Sequence, residues 1–158
     1  MKFDRELLEQ YHTLLQTTDL QQGYREFVQW FRYLRSELER QMPAFRFQNS
    51  ITENAMDYAY FSFTSPELRE KGLKLVVAFV HKTFCLELWL SGINRGAQCR
   101  WESRLRDCPM PMEISQDPAA TDYLLRLPVQ AVFSDGEADV ASVQAAIDTV
   151  LGLLDRKA

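Results

Sequence analysis

Only three cysteines occur in 158 residues, Cys85, Cys99 and Cys108. They cannot all pair within one chain, and their spacings of 14 and 9 residues match no zinc or redox signature. Reduced thiols and a cytoplasmic setting are therefore expected. Glycine and proline number six each, too few for a collagen-like or low-complexity chain. The longest strongly apolar run, Leu75 to Val80, falls far short of the roughly 20 residues a membrane helix needs, so no membrane partner is expected. Two histidines, His12 and His81, have no acid or cysteine close by in sequence, and no metal site follows from them. Ser-His-Asp, Gly-x-Ser-x-Gly, His-Glu-x-x-His, P-loop and dinucleotide patterns are all missing, so no cofactor is expected. The opening Met1-Lys2-Phe3-Asp4-Arg5-Glu6 puts acidic residues where a signal peptide has its apolar region, which argues against a targeting segment.

What the chain does have is the content of one ordinary folded domain spanning 1–158. Hydrophobic residues make up 46% and charged residues 25%, enough to build a core without disulfide or metal staples. The net charge of −4 is unevenly placed. Residues 1–106 carry 15 Lys and Arg against 13 Asp and Glu, whereas residues 107–158 carry 3 against 9. An acidic last third disfavours nonspecific nucleic-acid binding, which needs clustered cations to displace counterions from phosphates.

Periodicity divides the chain into elements. Leu7, Leu8, Tyr11, Leu14 and Leu15 recur at helical spacing, and after Thr17-Thr18-Asp19 a second stripe of Tyr24, Phe27, Val28, Phe31, Leu34 and Leu38 runs to Gln41. Two such stripes joined by a short connection predict an antiparallel helical hairpin covering something apolar, with Pro43 ending it. Short β-rich runs follow at 57–64, 73–81 and 84–91, then a helix over 95–106, a short strand over 123–127 limited by Pro128, and a final helix over 139–155. The fold class is α+β: an N-terminal helical hairpin, an antiparallel β-meander of three to four strands, and a further helix and C-terminal helix packed on the sheet.

A two-residue turn at Lys82-Thr83 would place residues whose numbers sum to 165 opposite one another. Phe79 then faces Leu86, Val77 faces Leu88 and Leu75 faces Leu90, a wholly apolar surface. On the other surface Val80 faces Cys85, Ala78 faces Glu87 and Val76 faces Trp89. Another turn length would change these pairs, but Cys85, Glu87 and Trp89 share a face in any register.

At Lys2-Phe3-Asp4, Tyr33-Leu34-Arg35, Tyr60-Phe61-Ser62-Phe63-Thr64, Leu73-Lys74-Leu75-Val76-Val77 and Trp89-Leu90-Ser91-Gly92-Ile93-Asn94 the chain resembles a family of uncharacterised bacterial cytoplasmic proteins, over nearly its full length. The resemblance implies membership of a domain-of-unknown-function family and supplies no catalytic residue. The strand-strand-strand-helix middle is also faintly similar to a restriction-endonuclease-like core. It departs at the decisive place, since Glu87 is followed two residues later by Trp89 instead of lysine.

Glu87 is the most suggestive residue. A carboxylate on a sheet face beside Ala78, Cys85 and Trp89 is partly desolvated and suited to acid or base work, or else it pairs with a helix Arg or Lys or is simply exposed on a half-covered face. Tyr58 and Tyr60 share strand parity and would form a wall with Trp89 and Glu87, giving a pocket for a small cationic or hydrogen-bonding ligand. The turn Gly92-Ile93-Asn94-Arg95-Gly96 reads either as an anion site, with Arg95 adding donors, or as an ordinary turn capped by Asn94. Arg95, Arg100, Arg104 and Arg106 with Trp101 read as a basic and aromatic patch or as a solvated helix face packed by Trp101. Cys85 reads as a small core residue, and Cys99 as the thiol closer to cations.

The reading that follows is a non-enzymatic module for a small ligand or a protein partner, a homodimer among the options. A small hydrolase or transferase using Glu87 and the Gly92 to Arg95 turn is the alternative, and an inactive nuclease-like domain the third.

Overall fold

The computed structural model describes residues 1–157. Helices α1 (Arg5–Thr17) and α2 (Leu20–Gln41) lead into a seven-stranded antiparallel sheet. Its strands are β1 (Arg46–Phe47), β2 (Thr52–Asn54), β3 (Tyr58–Thr64), β4 (Leu73–Val80), β5 (Cys85–Gly92), β6 (Glu113–Ile114) and β7 (Leu125–Val129), in the order β1-β3-β4-β5-β7-β6, with β2 also pairing β3. Short α3 (Pro66–Glu70) links β3 to β4, α4 (Arg95–Leu105) follows β5, and α5 (Gly136–Lys157) closes the described chain. The architecture is α+β.

The sheet has seven strands where three to four are expected. The additional ones, β1, β2 and β6, are two or three residues long, too short for period-two alternation to register in a sequence. The long hairpin follows the expected register in full, from Val80 opposite Cys85 to Leu73 opposite Gly92. Its turn closes where Phe84 N–H donates to the His81 carbonyl at 3.1 Å, leaving Lys82-Thr83 central. β7 runs through Pro128 to Val129, further than expected. Pro128 is tolerated because β6 pairs only with Leu125 and Arg126, so the missing N–H costs no ladder bond.

One sheet face carries the core. Phe61, Leu75, Val77, Phe79 and Leu88 are buried there under Phe31, Leu34 and Leu38 of α2 and Val143, Ile147, Val150 and Leu154 of α5. The other face holds a smaller cluster, Val76, Ala78 and Trp89, ringed by Tyr58, Tyr60, Val80 and Tyr123, and among the described residues no helix side chain joins it.

The expected hairpin divides into unequal helices. Asp4 caps α1 by accepting from Leu7 N–H at 3.1 Å, whereas Asp19 at the start of α2 makes no side-chain cap bond. Only α2 covers the sheet. No residue of α1 is buried, and Leu7 and Tyr11 are 61% and 54% exposed. Burying a large apolar side chain stabilises by about 1.5–3 kcal/mol, so the three core residues of α2 contribute on the order of 5–9 kcal/mol before conformational costs, and the α1 stripe almost nothing. Amphipathic spacing says that a face suits apolar cover without saying what supplies it.

At the outer edge of β3 a side chain takes the place of backbone. Gln48 N–H donates to the Ser62 carbonyl at 2.9 Å, and Gln48 Oε1 accepts from both Ser62 N–H and Ser62 Oγ at 3.0 Å, filling the gap between β1 and β2.

Candidate functional site

Strand alternation sends Tyr58, Tyr60, Lys74, Val76 and Trp89 to the sheet face opposite the core. There they line a cavity of about 420 Å³ together with Gly92, Asn94, Arg95, Gln98 and Asp122. Its aromatic wall is continuous: Tyr58 lies 5.7 Å from Tyr60 and 5.6 Å from Trp89 between ring centroids. Tyr123 extends the row, 5.5 Å beyond Trp89.

The end of β5 and the start of α4 form the polar rim. Asn94 caps α4, its Oδ1 accepting from Ala97 N–H at 2.8 Å, so the capping reading of this residue holds and the same residue lines the cavity. Gly92 is needed here because a Cβ would stand 2.5 Å from Gln98 N and 2.6 Å from the Asn94 carbonyl, both rigid backbone. Gln98, 2% exposed, staples three segments. Its Oε1 accepts from Gly92 N–H at 3.1 Å, while its Nε2 donates to the carbonyls of Pro118 and Thr121 at 2.7 and 2.8 Å.

Those bonds fix the loop that carries Asp122. Ser91 Oγ donates to the Asp122 carbonyl at 2.8 Å, and Leu124 N–H to the Leu90 carbonyl at 2.8 Å. The Asp122 carboxylate accepts from Arg95 at 2.9 Å through Oδ1 and from the Tyr58 hydroxyl at 3.1 Å through Oδ2. Burial above all, then the charge and hydrogen bond of Asp122, pushes the Tyr58 phenol above its ordinary pKa, so it stays a donor. Asp122 thus clasps α4 to β3 across the cavity mouth.

Of the six residues singled out from sequence, Tyr58, Tyr60, Trp89, Asn94 and Arg95 come together around this cavity. Glu87 lies beside it without lining it. It is 9% exposed, and its Oε2 accepts the Trp89 indole N–H at 2.7 Å, which fixes the ring. The charge at the cavity is consequently not a lone carboxylate but Lys74 and Arg95 against Asp122. Lys74 enters none of the ion pairs among the described residues. Lys74 was legible in principle, because the register that pairs Val76 with Trp89 also pairs Lys74 with Ser91 on the same face. Asp122 was not, since its place depends on the fold of a loop.

The α4 arginines divide. Arg100 and Arg104 line a second cleft with Arg69 and Lys71, separated from the first by Ile93, which borders both. Trp101 is buried under them, donating to the Lys71 carbonyl at 2.9 Å, with Arg104 4.9 Å above its ring. It packs the helix and offers no free stacking face.

Cys85, expected in the core, is exposed at the turn end of β5, on the same face as Trp89; Cys99 is also exposed. His81 packs against Phe27, 4.6 Å between centroids, and His12 is exposed on α1. Among the described residues no group of three or more His, Cys, Asp or Glu side chains is placed to hold a metal ion. Among them, too, no helix is long and apolar enough to cross a membrane.

Among known proteins, the model of one family, described as a domain of unknown function (DUF7000), matches residues 4–154. No curated protein and no solved structure matches the chain, so the likeness to a restriction-endonuclease-like core gains no support.

Proposed function

Since the chain belongs to the DUF7000 family of domains of unknown function, its site must speak for its role, and we propose that it is a binding module for a flat small molecule bearing an acidic group. Residues 1–158 act in this reading as one domain, working in the cytoplasm, where the three free thiols suit a reducing compartment.

The observation that carries the reading is the convergence of three aromatic rings and one unpaired ammonium, Lys74, on a single cavity of about 420 Å³. That volume suits a small ligand, which apolar walls would bury and a few polar groups would orient. Tyr58, Tyr60 and Trp89 supply stacking surface, and Lys74 with the remaining Arg95 donors supplies the partner for a carboxylate or phosphate. Arg69, Arg100 and Arg104 against Glu70 give the neighbouring cleft a surplus of cations, which would draw an anion toward the mouth despite the net charge of −4.

Binding is favoured over catalysis by the lining itself. It holds no serine, cysteine or histidine, and its one carboxylate, Asp122, is committed to Arg95 and Tyr58. Glu87, given acid or base work in the hydrolase or transferase reading, lies outside the lining and has Oε2 engaged by the Trp89 indole N–H.

The test is a titration with benzoate, indole-3-carboxylate and adenosine monophosphate, followed through the three indole N–H resonances. The Trp89 signal should move and saturate, those of Trp30 and Trp101 should stay, and Lys74→Met should weaken binding by about 10-fold or more. A Trp89 signal unmoved by every probe, or equal binding by Lys74→Met, would overturn the proposal.

A further inference from the structure

The cleft beside the aromatic cavity holds more cationic charge than one acidic group needs. Arg69 of α3 and Arg100 and Arg104 of α4 converge on its volume of about 520 Å³. None of the three enters an ion pair among the described residues. Glu70 is the one carboxylate in the lining, and Lys71 is already engaged by Glu67 at 2.9 Å. Like charges gathered without partners cost free energy that an entering polyanion offsets.

Two of these cations have defined seats. Arg104 stands over Trp101, 4.9 Å from the ring centroid. Arg100 spreads across two glycines, its Nη2 3.6 Å from where a Cβ on Gly72 would stand and its Nη1 3.7 Å from where one on Gly96 would. Gly72 holds φ 73°, so the bare backbone beside that guanidinium is a requirement of the turn.

Little separates this cleft from the cavity. Gly72 lines the cleft and Lys74 the cavity, two residues apart in the chain and so within about 7 Å between Cα atoms. Ile93 borders both, and its N–H donates to the Gly72 carbonyl at 2.9 Å. Its side chain is 51% exposed between an aromatic wall and a set of free arginines, where a molecule lying across both would cover it.

We infer that cavity and cleft form one elongated site whose ligand is a flat aromatic head carrying a chain of two or more acidic groups, the chemistry of a nucleoside di- or triphosphate. This rests on the cavity being a site for a flat acidic molecule and adds the nature of the tail. The first acidic group meets Lys74, and the next cross Ile93 to the planar forks of Arg100, Arg69 and Arg104, which suit phosphate oxygens two at a time. A single-stranded nucleic acid brings the same charge but needs stacking surfaces along its length, and Trp101, 5% exposed, supplies none in the cleft.

Adenosine mono-, di- and triphosphate, titrated without magnesium at about 0.15 M salt, test this through two indole N–H resonances, Trp89 for the cavity and Trp101 for the cleft. The triphosphate should move both signals along one saturation curve and bind about 10-fold or more tighter than the monophosphate, which should move Trp89 alone. Arg69→Gln combined with Arg100→Gln leaves Arg104 over Trp101 and should bring the triphosphate to within about 3-fold of the monophosphate. Equal affinities with Trp89 moving and Trp101 still would overturn the elongated site and leave the cavity as a site for a single acidic group. A triphosphate that moves Trp101 alone, or moves the two signals on separate curves, overturns it too. The same holds for a preference that survives the double variant, or for a thymidine octanucleotide that moves Trp101 at lower concentration than the triphosphate does.

Discussion

The Trp30 indole nitrogen donates to Asp139 Oδ2 at 2.9 Å, joining α2 to the first turn of α5 across 109 residues of chain. Asp139 is 1% exposed, and its carboxylate also accepts from Val132 N–H at 2.7 Å and Phe133 N–H at 3.0 Å. Three donors and the positive end of a helix dipole offset the cost of burying the charge.

Removing that carboxylate strands all three donors. Asp139→Ala should lose about 2–4 kcal/mol of unfolding free energy, and Asp139→Asn less, because the amide keeps one acceptor. Urea unfolding measures both, and an alanine variant within about 0.5 kcal/mol of the parent would show the contact to be dispensable.

Glycine positions separate in sign. Gly23, inside α2, would place an added Cβ with nothing within 4 Å of it, so Gly23→Ala should stabilise by about 0.5–1 kcal/mol. Gly136→Ala drives a methyl into the Tyr33 ring, and Gly92→Ala sets one against immovable backbone. Both should lower the melting temperature, with Gly92→Ala alone also shifting the Trp89 indole resonance.

Gln98 has no isostere that satisfies all three of its partners. Gln98→Leu should free the 115–124 loop, breaking the Asp122 clasp on Arg95 and Tyr58 while leaving the core intact. Amide exchange should rise at Thr121 to Leu124 before it rises in β4, and uniform exchange changes would contradict this order.

Burial chiefly, partly offset by Glu53, pushes His81 below its ordinary pKa. The unfolded chain therefore takes up a proton at His81 more readily than the folded one. The neutral-histidine contribution is complete above the unfolded value of 6.5 and is lost as pH falls below it toward the lowered folded value. His81→Gln should flatten the decline in stability just below pH 6.5. An unchanged slope would assign the decline to other groups.

The central hairpin was legible because two long strands meet at a short turn, so one turn assignment determines eight pairs. The aromatic wall followed from the same parity. Other parts depend on what sequence spacing does not encode. Nothing in Leu7, Leu8 and Tyr11 distinguishes a helix that packs on its own sheet from one that projects from it. Asp122 reaches Tyr58 and Arg95 only because Gln98 and Ser91 fold its loop back, a relationship among three distant segments. Cys85 reads as core from its strand neighbours, but the strand end on the Trp89 face leaves it in water.

The margins of the sheet bear on how concentrated this chain can become. Along β3 the bordering strands are two and three residues long with Gln48 plugging the gap, and beyond β6 the border of β7 presents Pro128. Neither side offers a long row of free amides on which a stray strand could template, so growth into fibrils finds no starting edge.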